Sequence, residues 1–321
     1  MGRVLGYSLA ILCLLAAGCG SRAGKEASVT TAVHAFPPAP KVPSVISDPQ
    51  EAQEYFVVHY WDAFLSESHP CDSAVVNGVK ADDVESALGM YITLLERNIP
   101  LAEGKKAMTG FFDRLEKFQQ TNTSSNVFGF FLEMVPKYLY DPNSPVRDED
   151  LYLPFVSRLA VSDLVAEDMK PAYSYEARMC SLNQVGSPAA DFTFTDILGR
   201  RHSLYGIKAG TTLLFFTNPG CPACRDIIQS LTGSPRISAL VKEGKLAVVN
   251  VYIDQELDKW REYASGYPDS WYNGYDQSYS IRQDVSYNVR AIPSMYILDK
   301  DKRVVMKDAP TEKVIQYLER L

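Results

Sequence analysis

Two cysteines separated by two residues stand in the stretch Asn218-Pro219-Gly220-Cys221-Pro222-Ala223-Cys224-Arg225. Sulfurs at that spacing can open and close a disulfide, contribute half of a metal site, or staple a loop. The flanking residues decide between these. The apolar run Leu213-Leu214-Phe215-Phe216 comes before the motif, and Ile227, Ile228 and Leu231 follow it at helical spacing. The motif therefore stands where a buried strand hands over to a helix, with both sulfurs on the first turn. There the first cysteine lies among unpaired backbone N–H groups at the positive end of the helix dipole, which stabilises a negatively charged sulfur. The second is near enough to close a disulfide on it, and that is the minimum machinery for thiol–disulfide exchange. Zinc would need two further ligands. No second Cys-x-x-Cys and no His-x-x-x-His occurs, and His202 is alone on the far side of the strand, so no metal is expected. A staple across a two-residue gap would remove little chain entropy. Exchange is the reading that remains, with Cys221 as the nucleophile and Cys224 as the resolving thiol.

Further on, Tyr287-Asn288-Val289-Arg290-Ala291-Ile292-Pro293-Ser294 leads into the apolar Met295-Tyr296-Ile297-Leu298-Asp299. The order of strand, Cys-x-x-Cys and helix, followed by Tyr-x-Val-x-x-Ile-Pro-Ser before an apolar strand, resembles the thioredoxin superfamily. The likeness is closest to its extracytoplasmic TlpA-like branch and covers residues 186–321. It implies that Pro293 is cis and packs against a redox-active Cys221–Cys224 disulfide, and that the backbone of Ile292 pairs with a bound substrate chain. It also implies that no cofactor is needed, because the electrons come from another dithiol protein. Two departures stand out. The aromatic residue usual before the first cysteine is Gly220 here. The buried acid that assists proton transfer in many relatives is missing as well: its place on the strand is Phe215, and the following helix offers Ile227 where TlpA-like proteins often carry Glu. Asp226 should face another direction, which leaves water or the charge of Arg225 to assist.

The elements that must position this motif can be read around it. Asp191-Phe192-Thr193-Phe194 alternates, Gly199-Arg200-Arg201 turns, and His202-Ser203-Leu204-Tyr205 returns as a hairpin. The β-branched run within 245–254 reads as a buried parallel strand, with a helix marked by Leu257, Trp260 and Tyr263 behind it. A hairpin follows Pro293, and Pro310 opens a last helix over 311–321. The crowded aromatics of 266–284 (Tyr267, Trp271, Tyr272, Tyr275 and Tyr279) read as cover for the sheet. The expected fold of 181–321 is thus α/β thioredoxin-like, a central mixed sheet flanked by helices.

Residues 51–180 are periodic in the helical sense nearly throughout. Val84, Leu88, Tyr91 and Leu95 share one face, as do Phe111, Leu115 and Phe118, then Phe128, Phe131, Val135 and Leu139. Asp141-Pro142-Asn143-Ser144-Pro145 breaks the pattern. A separate all-α domain of four to six helices is expected there, with no evident chemistry, since the spacing of His59, His69 and Cys71 fits no standard metal site. Cys71 and Cys180 bracket it, and the sequence leaves open whether they form a disulfide or stay as two inert thiols. The pieces His59-Tyr60-Trp61-Asp62, Asp141-Pro142-Asn143-Ser144-Pro145 and Asn273-Gly274-Tyr275-Asp276 resemble lipoproteins of anaerobic Gram-negative bacteria in which an uncharacterised helical domain precedes a thioredoxin-like one.

The beginning of the chain reads as an address. Arg3 precedes the apolar run 4–15, too short to anchor in a bilayer, and Ala16-Ala17-Gly18 ends at Cys19. This resembles a bacterial lipoprotein signal over 1–18, with Ala16 where Leu is usual and with Cys19 as the lipidated residue; plain secretion is the alternative. Residues 19–50, rich in Pro, Ala and Ser, read as a flexible tether. The expected place is the Gram-negative cell envelope, lipid-anchored in the outer membrane and facing the periplasm, where disulfides are permitted. The net charge of −7 with no basic block argues against nucleic acid as a partner.

These readings combine into a membrane-tethered thiol–disulfide oxidoreductase acting on disulfide-containing or dithiol envelope proteins, supplied by a membrane-side electron donor. The TlpA-like resemblance points to the reducing direction. One alternative is a binding or scaffold lipoprotein whose thioredoxin-like domain exchanges only slowly, as the missing acid suggests. A thiol peroxidase is a second, but its Pro-x-x-x-Thr/Ser-x-x-Cys pattern is absent: Leu214 and Asn218 occupy those places.

Overall fold

The computed structural model describes residues 33–321; the expected signal 1–18, Cys19 and the start of the tether lie outside them. Asp48 opens the first helix, α1 (Pro49–His59), by accepting the N–H groups of Gln50 and Glu51, and Pro49 spends no hydrogen bond at the first helical position. A two-residue hairpin follows, β1 (Val75–Val76) with β2 (Val79–Lys80). Its turn residues Asn77 and Gly78 both have positive φ (47° and 77°), as a tight two-residue hairpin turn requires. Then come α2 (Ala81–Asn98), α3 (Leu101–Thr121), α4 (Val127–Leu139), α5 (Glu149–Leu159) and α6 (Lys170–Cys180). Trp61 is fully buried at the centre, with the rings of Phe131, Phe111 and Tyr91 at 5.0, 5.1 and 5.7 Å. Edge-to-face and offset contacts of this kind add to the area they bury.

Within the described residues the expected tether is docked on the helical core. The His34 N–H donates to the Gly78 carbonyl (2.7 Å), and the Phe36 ring lies 5.6 Å from Phe64 and 5.7 Å from Trp61. One aromatic side chain in a proline-rich segment is enough to dock 34–48 on the helical core. Of the two readings left open for Cys71 and Cys180, the structure shows two free thiols, because they belong to different corners. Cys71 donates to the Ser124 carbonyl (3.6 Å) at the turn between α3 and α4, while Cys180 is buried at the end of α6, and both are free. Burial pushes the Cys180 thiol well up from its ordinary value.

The second half holds β3 (Thr193–Asp196), β4 (Arg201–Ser203), β5 (Thr211–Phe216), α7 (Pro222–Gly233), α8 (Pro235–Lys242), β6 (Leu246–Tyr252), α9 (Leu257–Ala264), β7 (Tyr272–Tyr275), α10 (Ser280–Gln283), β8 (Ser294–Asp299), β9 (Val304–Met306) and α11 (Thr311–Arg320). Seven strands form one mixed sheet in the order β4-β3-β7-β6-β5-β8-β9, in which β5, β6 and β7 are parallel. Strand β5 is buried along its whole length and feeds both faces. Leu213 and Phe215 pack with α7, α8 and α11, and Leu214 and Phe216 pack with Phe192, Tyr287 and Tyr296 on the other face.

Part of the aromatic segment joins the sheet rather than covering it: Tyr272–Tyr275 form β7, between β3 and β6. Glycine is needed there because a Cβ on Gly274 would stand 2.7 Å from the Thr195 carbonyl oxygen and 2.5 Å from the Phe194 ring.

Candidate functional site

Where β5 ends, the chain turns through Asn218-Pro219-Gly220 into α7. Gly220 has φ +73°, a conformation that strains other residues and accounts for glycine at this place. Cys221 is the N-cap of α7 and Pro222 the first helical residue. The Cys221 Sγ accepts the Cys224 backbone N–H at 3.2 Å, so the sulfur stands in for the oxygen of a conventional cap. Both thiols are free, and they are unequal. Cys221 is half-buried. Cys224 is 2% exposed, and burial, followed by the Cys221 sulfur, pushes its thiol up to about 12.

The Ile292–Pro293 peptide bond is cis. Strand register places it beside the motif, because Phe216, the last residue of β5, pairs with Ser294, the first of β8. Ile292 and Cys221 both pack against the apolar cluster that contains Cys224, Phe215, Met295 and Trp271. The sequence thus separates by some seventy residues two features that the sheet brings to one edge. Arg225 is exposed and pairs with Asp226 at 3.9 Å.

Beneath the motif the polar groups are neutral. Thr217 and Asn250 are each 1% exposed, and the Thr217 hydroxyl donates to the Asn250 Oδ1 at 2.5 Å. The Asn250 amide donates to the Asn273 Oδ1 (3.0 Å), and the Asn273 amide donates to the Pro268 carbonyl (2.8 Å). Tyr267 completes the chain through a hydrogen bond with Thr217; burial raises its phenol from the ordinary value, and the two cysteines add to the rise. Sequence reading missed this chain. Its one signal was a lone Asn250 within an otherwise apolar strand. Among the described residues no group of three or more His, Cys, Asp or Glu side chains is arranged to hold a metal, and no helix is long and apolar enough to cross a membrane.

A mixed sheet with a strand–Cys-x-x-Cys–helix edge and a cis-proline at the neighbouring strand defines a thioredoxin-like domain, here preceded by a helical one. Comparison with known proteins agrees: residues 210–304 match the thioredoxin-like family, and residues 18–182 match a domain of unknown function, DUF5106. The second match spans more than half of the 321 residues, and the chain belongs to that family. A thioredoxin-like protein from Bacteroides caccae is 35% identical, with a TM-score of 0.75, over 88% of this chain and 97% of its own. The C-terminal domain of an uncharacterized protein from Bacteroides fragilis is 43% identical over 42% of this chain and 97% of its own, with a TM-score of 0.41. No curated protein matches the chain.

Proposed function

We propose that the protein is a thiol–disulfide oxidoreductase, tethered to the membrane through a lipid on Cys19, that reduces disulfides of cell-envelope proteins. The observation that carries the reading is the inequality of the two thiols at the start of α7. Cys221 is accessible and sits on a helix N-terminus, and Cys224 is buried and protonated one turn in. As a thiolate, Cys221 attacks one sulfur of a substrate disulfide; that S–S bond breaks, a mixed disulfide forms, and the other substrate sulfur leaves as a thiol. Cys224 then gives up its proton and attacks the Cys221 sulfur, which releases the second substrate thiol and leaves Cys221–Cys224 oxidised. Two electrons have passed to the substrate, and a dithiol protein on the membrane side returns them. Pro293 and Ile292 shape the docking edge, with the Ile292 backbone open to pair with an extended substrate. No cofactor enters this cycle.

Reduction of insulin by the dithiothreitol-charged protein, together with a redox titration of Cys221–Cys224, tests the reading. Turnover that is lost in Cys221→Ala supports it. A titrating pair without turnover would leave a binding or scaffold protein, the reading that the neutral groups beneath the motif favour. Cys19→Ser should abolish fatty-acid labelling; an unlabelled wild-type chain would leave plain secretion.

A further inference from the structure

The segment that carries the cis-proline has few regular backbone bonds of its own. Between α10 and β8 its position is set by side chains. The Tyr287 hydroxyl donates to the Ala190 carbonyl (2.6 Å), and the Asn183 amide donates to the Ser286 carbonyl (2.8 Å). The last residues before Ile292 reach out of the thioredoxin-like domain altogether. The Asn288 amide and the Arg290 Nε both donate, at 2.9 Å, to one oxygen of Glu149, the first residue of α5. The Arg290 guanidinium also lies 4.1 Å over the ring of Tyr140, at the end of α4, and its Nη2 donates to Asp308 (3.0 Å). Asp308 in turn accepts the hydroxyl of Ser294, the residue after the proline, at 2.7 Å. The other oxygen of Glu149 faces Lys307 at 2.9 Å. The side chains of Glu149, Lys307 and Asp308 are 1%, 2% and 6% exposed, so Lys307 and Arg290 answer the charge of Glu149, and Arg290 and Arg147 that of Asp308, in place of water.

We infer that the helical domain is part of the docking edge: Glu149 is a positioning residue that fixes Asn288 and Arg290, and through them sets where Ile292–Pro293 meets a substrate chain. This rests on the exchange reading and deepens it. A loop that must present its backbone to an extended peptide is useful only if it is held still, since a displacement of about 1 Å can cost on the order of a hundredfold in rate. The thioredoxin-like domain supplies Asp308 for that task but no partner for Asn288. Glu149 does not touch the sulfurs, so it acts on docking and not on cysteine chemistry.

The test compares Glu149→Gln, Asn288→Ala and Lys307→Met in the full chain, with three readouts: kinetics on insulin, the rate with the small aromatic disulfide DTNB, and thermal midpoint. Loss of positioning should raise KM for insulin by about tenfold in Glu149→Gln and Asn288→Ala, with kcat and the DTNB rate unchanged. Lys307→Met removes a charge from the same cluster on the β9 side, and should lower the thermal midpoint without moving KM. Asn288→Ala removes no charge from the cluster, only the amide's hydrogen bonds to Glu149 and Tyr140, so it serves if Glu149→Gln does not fold. An unchanged KM in Asn288→Ala, or an equal rise in Lys307→Met, overturns the inference while leaving the exchange reading intact. A wild-type protein inert toward both disulfides would overturn both.

Discussion

Two buried polar regions flank the cysteine edge, and they are built from opposite materials. Beneath the motif, Thr217, Asn250, Asn273 and Tyr267 form a chain in which every group is neutral at physiological pH. Behind the cis-proline, Glu149, Arg290, Asp308, Lys307 and Arg147 form a cluster of paired acids and bases. A neutral chain holds geometry without placing a field on the sulfurs. An ionic cluster holds geometry more tightly, but each member depends on its partners, because a lone buried charge is costly. The contrast separates two tasks: the chemistry is left to Cys221 and the helix terminus, and the positioning is given to charges that do not face the sulfurs.

The largest expected effect concerns the cysteines. Cys221→Ala should abolish insulin reduction. Cys224→Ala should arrest the cycle at its midpoint and accumulate mixed disulfides, visible as adducts that reductant releases on a gel. Equal trapping by both variants would contradict the assigned roles. In the wild type, brief alkylation near neutral pH should label Cys221 and spare Cys224, since Cys224 is buried and its thiol is pushed up to about 12.

The ionic cluster comes next. Asp308 has φ +41°, a conformation that asparagine tolerates, so Asp308→Asn removes charge without disturbing the backbone. It should lower unfolding free energy by about 3 kcal/mol, as expected when a partner is removed from a buried ion pair. Urea denaturation measures this, and a loss below about 1 kcal/mol would mean that water reaches Arg290 and Arg147 after all.

The sequence and the structure part company along the same line. The motif, the cis-proline and the apolar strands were legible because each is local: Cys221-Pro222-Ala223-Cys224 and the run Leu213–Phe216 carry their patterns in a few consecutive residues. The ionic cluster was not, since Glu149 and Arg290 lie far apart in the chain and each alone looks like a solvated surface charge. β7 was missed because a glycine amid crowded aromatics does not look like a strand, and only the close approach of the Thr195 carbonyl shows why a strand needs glycine there. Phe36 looked like one apolar residue in a tether, and its burial depends on a groove formed by Trp61 and Phe64.

Turning the neutral chain into a charged one sharpens the comparison. Asn250 pairs in register with Phe215, the position at which the family resemblance leads one to expect a buried acid. Asn250→Asp would bury a carboxylate there, and desolvation would raise its pKa in the folded state. A carboxylate with a raised folded-state pKa favours the fold at low pH and opposes it as pH rises through that value. The variant should therefore be about 2–4 kcal/mol less stable than wild type at pH 7 and recover most of this near pH 4. If a missing acid limits exchange, the variant should also reduce insulin faster despite being less stable. An unchanged rate would show that water serves the proton step as well as an acid does.

The smallest effect lies at the sheet edge, where a third arrangement tests whether charge outside both regions is tuned at all. Asp196, at the end of β3, accepts the Leu198 and Arg200 backbone N–H groups (2.9 and 2.8 Å) and faces the Arg200 Nε (2.7 Å) and the His202 Nε2 (3.1 Å). Burial works against its charge, but these partners outweigh it and hold the carboxyl at about 2, well below its ordinary value. A depressed carboxylate contributes stability that is complete above its unfolded value of about 3.9 and is lost as pH falls toward 2. Its side chain is 10% exposed, and solvent reaches Arg200, so the contribution is about 1 kcal/mol rather than the full conversion of the shift. Asp196→Asn should lower stability by that amount at pH 7 and flatten the loss between pH 4 and 2, with the exchange rate unchanged. A variant that slowed insulin reduction would mean that the β3–β4 hairpin reaches the docking edge, and the division between chemistry and positioning would then have to include a third region.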